Sequence, residues 1–187
     1  MSCTYVILSN WGQSNFSTDR RRTAMTDRES YSDPNFDAVI EFPAMKVAVG
    51  TRGERVTAIV YLPPEVPVMA PRNRLAERAA RQLERYCADP DAVFDLPLEP
   101  CGTPFQRVVW RALERIPRGE TRSYGALAKS LGTAARAVGQ ACGENRFPVV
   151  IPCHRVVAAS GIGGFAHARD GYLLEAKRWL LAHERAL

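Results

Sequence analysis

The spacing of the apolar residues changes once along this chain, and that change limits the possible folds more than any other feature of the sequence. Before the proline-rich stretch at residues 63–67, apolar residues alternate with other residues, as they do in half-buried strands. The alternating positions are Phe36, Ala38, Ile40, Phe42, Met45, Val47, Val49, Val56, Ala58, Val60 and Leu62. After that stretch, apolar residues recur every three or four positions, which is typical of amphipathic helices. The order predicts an α/β part over residues 37–100 and a mostly helical part over residues 101–187.

Capping residues indicate where the helices begin and end. The predicted N-caps, each a side chain with an oxygen ahead of an apolar stripe, are Asn73, Thr103 and Ser123. The predicted stops, each a glycine behind such a stripe, are Gly119, Gly132 and Gly143. The last helix is expected to begin near Leu173. Two short helices at 124–131 and 134–142, joined by a tight turn, have the pattern of a helix-turn-helix, but any packed pair of helices shares it.

The remaining composition excludes several classes of protein. The five cysteines, Cys3, Cys87, Cys101, Cys142 and Cys153, are odd in number and contain no Cys-x-x-Cys pair, which argues against a disulfide scaffold or a four-cysteine zinc site. No apolar run approaches the roughly 18 residues that a membrane-spanning helix needs. Residues 1–36 are polar and aperiodic, so we expect a flexible tail, with Met25 as an alternative start. The basic run Arg20-Arg21-Arg22 is either a solvated part of that tail or a polyanion contact.

Positive charge is concentrated in the C-terminal half. The chain carries 25 Lys and Arg against 20 Asp and Glu, a net charge of +5. Residues 101–187 hold 13 basic and 6 acidic side chains, a balance of +7, whereas residues 1–100 hold 12 and 14, a balance of −2. Clustered positive charge favours a polyanion as partner. An uneven surface without any partner explains the charge alone equally well.

One segment of this basic half places a cysteine beside an imidazole and a guanidinium. Apolar residues flank Cys153-His154-Arg155 on both sides, and Pro152 stiffens the chain, which predicts a buried, extended segment. A cysteine reacts as the thiolate, and a neighbouring base or cation favours that form. Neighbours on an extended strand point to opposite sides, so a water is expected to link Cys153 to His154. The alternative is a cysteine that serves only as a small buried apolar residue.

The run Pro152-Cys153-His154-Arg155-Val156 resembles the active-site signature of the O6-alkylguanine-DNA alkyltransferases, also called methylated-DNA–protein-cysteine methyltransferases. Arg136-Ala137-Val138-Gly139, Asn145 and Trp179-Leu180-Leu181-Ala182-His183-Glu184 stand around it in the order and spacing typical of that family. The likeness covers about residues 100–187, extends loosely from residue 37, and leaves residues 1–36 unmatched. It implies a ribonuclease-H-like sheet in the N-terminal part, and a winged-helix-like helix-turn-helix with an active-site strand in the C-terminal part.

The resemblance also implies a role for each residue around the thiol. Cys153 would accept an alkyl group, His154 would act as general base through a water, and Glu184 would orient His154. Asn145 would brace the active-site turn by hydrogen bonds. Arg155 would hold the segment to its surroundings. Three further residues are expected in the substrate pocket or supporting it: Val156, Ala158 and Ala159.

Other matching residues would handle DNA. Tyr124 would crowd the target phosphate and donate a hydrogen bond to the departing guanine, and Arg136 would fill the space of the extruded base. The small residues Ala135, Ala137 and Gly139 would allow a helix to approach the minor groove, although ordinary helix packing explains Ala137 equally well.

The activity that the resemblance implies is DNA repair by one irreversible alkyl transfer to Cys153 from O6-alkylguanine in duplex DNA, and also from O4-alkylthymine. No metal or cofactor is implied, and the protein would be a monomer that is cytoplasmic and DNA-associated, or nuclear in a eukaryote. The chain departs from the family where Arg146 follows Asn145, and where the long loop 161–171 carries His167 and Arg169. Two alternatives are a lesion binder without catalysis, against which Cys153 argues, and a cysteine hydrolase, for which no oxyanion-hole motif is found.

Overall fold

A computed structural model describes residues 36–187, so the predictions made for the tail, including Cys3, Arg20–Arg22 and Met25, lie outside the described residues. The strands are β1 (Ala38–Phe42), β2 (Met45–Arg52), β3 (Arg55–Leu62), β4 (Arg122–Ser123) and β5 (Val156–Val157). The helices are α1 (Arg74–Ala88), α2 (Pro104–Glu114), α3 (Tyr124–Ser130), α4 (Ala135–Gly143) and α5 (Gly171–His183). β1, β2 and β3 form an antiparallel sheet in chain order, against which α1 packs. The predicted succession of an α/β part and a mostly helical part is observed.

A β-bulge interrupts the predicted alternation in β3. Gly50 of β2 lies opposite Ala58, and the next residue, Thr51, lies opposite Val56, so Thr57 is an extra residue in the ladder. A bulge of this kind shifts the alternation of side chains between the two faces of a sheet. The single alternating pattern predicted through β3 is therefore wrong beyond the bulge.

This shift changes which side chains of β3 reach the main core. Ile59 and Tyr61 lie in that core, whereas the sequence pattern had pointed to Val60 and Leu62. Leu62 packs in a smaller cluster that it shares with Phe36, Val39, Ala48 and Val66. The main core runs from the sheet to α5, so the two parts of the chain share one apolar interior.

Three helices, α1, α2 and α3, begin at their predicted caps. The side chains of Asn73, Thr103 and Ser123 each accept a hydrogen bond from a backbone N–H in the first turn of α1, α2 and α3 respectively. These caps satisfy donors that the helix itself leaves unpaired, and this is a local property that sequence can reveal.

One predicted helix end is wrong, and one helix begins two residues earlier than expected. α2 ends at Glu114, and Gly119 lies in the turn that follows, with a φ of +79°. α5 begins at Gly171, two residues before the expected Leu173. Both differences arise where a loop joins the helix, and Asp170, the N-cap residue of α5, makes no side-chain cap hydrogen bond.

Three contacts position the segment that contains Cys153. The Ile59 N–H of β3 donates to the carbonyl of Arg146 at 2.8 Å, which ties the sheet to residues just before the cysteine. Trp110 of α2 donates its indole N–H to the carbonyl of Ala141 in α4 at 2.8 Å. β4 and β5 pair in parallel, so the entry to α3 is fixed beside the exit from the cysteine segment. No helix within residues 36–187 is long and apolar enough to cross a membrane.

Candidate active site

The signature residues form one tight helical turn and not the extended segment that the sequence predicted. Cys153, His154 and Arg155 lie in a 3-10 turn, and β5 begins only after them. Pro152 precedes the turn with a φ of −80° and a ψ of 65°. A 3-10 turn has three residues per rotation, so successive side chains diverge by about a third of a rotation. The expected opposite orientation of neighbouring side chains is therefore wrong.

Asn145 holds this turn through both ends of its side-chain amide. Its Nδ2 donates to the carbonyl of Ile151 at 2.8 Å, and its Oδ1 accepts from the backbone N–H of Phe147 at 3.0 Å. The backbone N–H of Cys153 donates to the same Ile151 carbonyl at 2.8 Å. Asn145 thus fixes the chain immediately before Cys153, the place where the resemblance puts a bracing residue.

The thiol of Cys153 is buried, with only 5% of the residue exposed. Burial raises the pKa of this thiol above its ordinary value. The Asn145 side chain, the Lys177 ammonium and nearby backbone N–H groups act in the opposite direction and lower the pKa. The net result is a thiol that keeps its proton at rest, so a reaction through the thiolate requires a base.

His154 and Glu184 are both completely buried, and His154 Nε2 lies 3.1 Å from Glu184 Oε1. Burial lowers the pKa of His154, and Glu184 counteracts that shift, so the ring is neutral and able to accept a proton. Burial alone would raise the pKa of Glu184, but hydrogen bonds from Arg155 and Tyr86 and the neighbouring His154 ring hold it well below its usual range. A neutral base therefore stands beside a fixed negative charge, which favours the protonated ring.

Arg155 and Tyr86 complete the surroundings of Glu184. Arg155 donates from Nε to Oε2 at 2.7 Å and from Nη2 to Oε1 at 2.8 Å, and its Nη1 donates to the Ile116 carbonyl at 2.6 Å. Tyr86 donates its hydroxyl to Oε1 at 2.8 Å. Arg155 is thus occupied with Glu184 and with the turn that follows α2, and it does not act as the cation beside the thiol. The sequence marks Tyr86 only as a core position of α1.

Lys177 is a residue of this site that the sequence analysis did not single out. It lies on the apolar face of α5 and is completely buried. Its Nζ donates to the carbonyls of Val156 at 2.7 Å, Ile162 at 2.6 Å and Gly164 at 3.0 Å. Burial lowers its pKa to about 8, although the neighbouring cysteines oppose that shift. The available signal was a lysine among the leucines of one helix face, since lysine is almost never fully buried without partners.

A cavity of about 660 Å³ opens at Cys153, between α3, α4 and residues 164–169. Tyr124, the first residue of α3, lines it and donates its hydroxyl to the Gly164 carbonyl at 3.2 Å. Arg136 lines it from the start of α4, is exposed, and makes no hydrogen bond or ion pair with any described residue. The cavity therefore brings together the predicted acceptor, the predicted tyrosine and the predicted stack-filling arginine.

The small residues predicted on α4 are not all demanded by packing. Ala135 is exposed, and Ala137 and Gly139 are half-buried. A Cβ on Gly139 would lie 4.0 Å from the Tyr124 ring, which is an ordinary contact. Packing inside the protein would thus allow a side chain at Gly139. Contacts within the protein do not require a glycine at this position.

The predicted support residues after the turn lie outside the cavity wall. Val156 is buried in β5, and its carbonyl receives one of the Lys177 hydrogen bonds. Ala158 is half-buried, and a Cβ on Gly163 would approach it to 3.1 Å. Ala159 is exposed. Among the described residues none of these three lines the cavity.

The long loop packs onto the end of α4 through His167. A Cβ on Gly143 would lie 2.3 Å from the His167 ring, so only glycine leaves room for this arrangement. His167 Nε2 also lies 3.3 Å from Glu144 Oε1. His167 and Arg169 both line the cavity, which places the residues that depart from the family at the entrance to the site.

Cys142 is a second thiol at the same cavity. Burial and the nearby Cys153 raise the pKa of Cys142 well above its ordinary value, so it is a weak nucleophile. Within residues 36–187, no group of three or more His, Cys, Asp or Glu side chains is placed to hold a metal ion.

The chain is similar in sequence and in structure to known methyltransferases that act on methylguanine or methylated DNA. Residues 104–186 match the family model described as 6-O-methylguanine DNA methyltransferase, DNA binding domain. The chain is 49% identical over 114 residues to the constitutive methylated-DNA–protein-cysteine methyltransferase of Bacillus subtilis. That match covers 59% of this chain and 66% of the relative, slightly less than two thirds of the relative's length.

Two solved structures from Mycobacterium tuberculosis are similar over most of the described chain. The crystal structure of its O6-methylguanine methyltransferase is 35% identical with a TM-score of 0.65. The crystal structure of its OGT in complex with DNA is 36% identical with a TM-score of 0.64. Each similarity covers 79% of this chain and 91% of the solved chain.

Proposed function

The chain belongs to the O6-methylguanine-DNA methyltransferase family, and on that premise we propose that it repairs DNA by moving the alkyl group of O6-alkylguanine onto its own Cys153. The observation that carries the proposal is the buried Cys153 thiol at a cavity, backed by neutral His154 and ionised Glu184. A thioether offers no easy leaving group, so the site cannot regenerate its thiol. Each molecule therefore acts once, and O4-alkylthymine is a second substrate of the same chemistry.

The residues divide the chemical step between them. His154 takes the thiol proton through a bridging water, and Glu184 stabilises the imidazolium that forms. The Cys153 sulfur then attacks the alkyl carbon, the sulfur–carbon bond forms, and the electrons of the carbon–O6 bond leave with guanine. The proton lost by the thiol balances the charge on the departing guanine. Lys177 favours the transient thiolate electrostatically, because its ammonium lowers the pKa of Cys153.

Access to the substrate requires the target nucleotide to leave the duplex. The O6 alkyl group lies within the base stack, and extrusion costs a few kcal/mol. We assign Arg136 to the vacated space, because it is an exposed cation without a partner in the described chain. Tyr124 crowds the phosphate and donates to the departing base. Ala135, Ala137 and Gly139 allow α4 to approach the minor groove closely.

The finer architecture follows the same family. We assign the sheet of residues 37–100 to a ribonuclease-H-like domain, and residues 101–187 to a winged-helix-like domain whose helix-turn-helix consists of α3 and α4. The tight connection between those helices and the basic surplus of residues 101–187 support this assignment. The protein acts as a monomer on duplex DNA, in the cytoplasm or wherever the genome is held.

The decisive experiment measures the mass of the intact protein after incubation with duplex DNA that contains O6-methylguanine. We expect a gain of one methyl group, located at Cys153 by peptide analysis and lost in Cys153→Ala. Cys142→Ala is the matched control, because it removes the other thiol of the same cavity and should leave the mass gain intact. Binding to the lesion without any mass gain would replace the proposal with a lesion binder, and turnover of an ester would indicate a hydrolase.

A further inference from the structure

The N-terminal sheet contributes one polar side chain to the interior around the thiol. Tyr61 of β3 is buried with 6% of its surface exposed, and its ring packs against Phe165 at 5.3 Å between centroids. Phe165 itself lines the cavity at Cys153. The bulge at Thr57 shifts which residues of β3 face the main core, and as a result Tyr61 lies in that core. The sheet therefore reaches the active site through this residue.

The hydroxyl of Tyr61 has no hydrogen-bond partner in the part of the chain that the structure describes. The only other buried side-chain nitrogen and oxygen atoms in that condition, within residues 36–187, are the two ring nitrogens of His154. Burying a hydroxyl without a partner costs stability, and phenylalanine would fill the same space without that cost. An unsatisfied buried polar group in a folded protein calls for an explanation, and a role in the reaction is one.

The groups around Tyr61 determine whether its hydroxyl keeps its proton. Burial raises its pKa well above the ordinary value, the negative charges of Cys153, Tyr86 and Glu184 in their ionised forms add to that shift, and the backbone of Val149 opposes it. Glu184 is in turn 3.1 Å from His154. The Tyr61 hydroxyl therefore keeps its proton, and its ring borders the cavity at Cys153 through Phe165.

We infer that Tyr61 is a positioning residue for alkyl transfer: its hydroxyl orients the water through which His154 takes the Cys153 proton. A buried water requires two to four polar partners, and Tyr61 Oη, a His154 ring nitrogen and the Cys153 sulfur supply three. The hydroxyl is a permanent donor, so its hydrogen bond to the water strengthens as negative charge moves onto the sulfur. The inference rests on the proposed function and deepens it, since it gives the N-terminal sheet a part in the reaction.

Several other groups influence the same thiol and must be held constant in a test. They are Asn145 before the turn, Lys177 from α5, Cys142 from α4, Tyr124 from α3 and the backbone of the turn itself. A substitution that removes the Tyr61 hydroxyl and keeps its ring leaves all of them in place. Tyr61→Phe meets that condition.

The test compares wild type, Tyr61→Phe and Tyr172→Phe. Tyr172→Phe is the matched control, because it also removes one tyrosine hydroxyl, and that hydroxyl donates at 3.3 Å to the backbone carbonyl of Tyr61. Transfer from free O6-benzylguanine is measured from roughly pH 6 to pH 10, a range that brackets the ordinary thiol pKa. In parallel, a small neutral disulfide is reacted with each protein, and modification of Cys153 is followed by peptide mass spectrometry.

We expect Tyr61→Phe to react about tenfold more slowly near neutral pH and to reach the wild-type rate at high pH, which is an upward displacement of the profile by about one pH unit. Tyr172→Phe should follow the wild type. The melting temperature of Tyr61→Phe should equal or exceed that of the wild type, because the variant buries no unpaired hydroxyl.

An unchanged pH profile would overturn the inference, and so would a loss of rate that is equal at every pH, which is what a purely structural residue would give. The two reactions also separate this inference from the proposed function. If the wild type fails to react with O6-benzylguanine, the proposed function fails, whereas the disulfide reaction still decides whether Tyr61 acts on Cys153.

Discussion

Replacement of Glu184 by glutamine should destabilise the protein more than any surface change of the same type. Glu184 is completely buried and accepts hydrogen bonds from Tyr86 and from two nitrogens of Arg155, with His154 at 3.1 Å. Glutamine keeps the shape but removes the negative charge, and it turns an amide group toward a set of donors. Breaking a buried ion pair by removing one partner costs about 3–5 kcal/mol. A domain of this size loses about 2–4 °C of melting temperature per kcal/mol, so we expect a decrease of roughly 6–20 °C.

The loss of stability caused by Glu184→Gln should become smaller as the pH falls. The pKa of Glu184 is depressed in the folded protein, so its contribution is fully present above the unfolded pKa and is lost as the pH falls toward the folded value. Below the ordinary glutamate pKa of about 4.3, the difference between wild type and variant should shrink by about 1.4 kcal/mol per pH unit. Between pH 7 and pH 3 that amounts to about 1.8 kcal/mol.

The assay is urea denaturation of wild type, Glu184→Gln and Glu175→Gln at several pH values. Glu175 is the matched control because it lies on α5, is 62% exposed and, among residues 36–187, pairs with Arg178 alone. An exposed pair of this kind contributes at most about 0.5 kcal/mol. A loss below about 1 kcal/mol for Glu184→Gln at pH 7, or a loss that does not shrink on acidification, would refute the account of Glu184 as a paired buried charge.

Three further outcomes follow from other parts of the structure. Arg136→Ala should slow transfer from duplex DNA more than transfer from free O6-benzylguanine, and equal losses on both would remove its stack-filling role. Gly102→Ala should cost roughly 1–3 kcal/mol in thermal unfolding, because Gly102 has a φ of +82° and its Cβ would lie 2.6 Å from the Trp110 ring; the control Gly53→Ala, with open space around it, should cost less. Lys177→Met should cost about 3 kcal/mol, since three carbonyls lose their donor at ~1 kcal/mol each. Because the folded pKa of Lys177 is lowered to about 8, the stability advantage of wild type over Lys177→Met should grow as the pH rises from 8 toward 10, and denaturation curves that show the opposite trend would contradict this assignment.

Local chemistry explains which parts of the fold could be predicted. Asn73, Thr103 and Ser123 act on N–H groups within their own first helical turn, so the sequence alone identifies them. The bulge at Thr57 depends on how β2 and β3 pair, and the sequence of β3 alone does not predict it. The sequence therefore pointed to Leu62 for the core and did not single out Tyr61.

The same distinction holds within the site. Cys153 and His154 could be identified from their local sequence, and Asn145 and Glu184 from the resemblance to a known family. The partners that tune them come from distant elements: Tyr86 is 98 residues from Glu184 in the chain. A side chain such as Lys177, whose three acceptors lie on β5 and the following loop, is recognisable as functional only after α5 has been placed against them.

The parallel pairing of β4 with β5 has a consequence for protein engineering. Arg122 and Ser123 lie opposite Val156 and Val157, so backbone hydrogen bonds fix the start of α3 relative to the acceptor turn. Because backbone atoms make this pairing, it does not depend on which side chains α3 and α4 present on their outer surface. The outward-facing residues can therefore be exchanged as a set, to retarget the protein to another nucleic acid or to a tethered substrate, without moving the sulfur that receives the alkyl group.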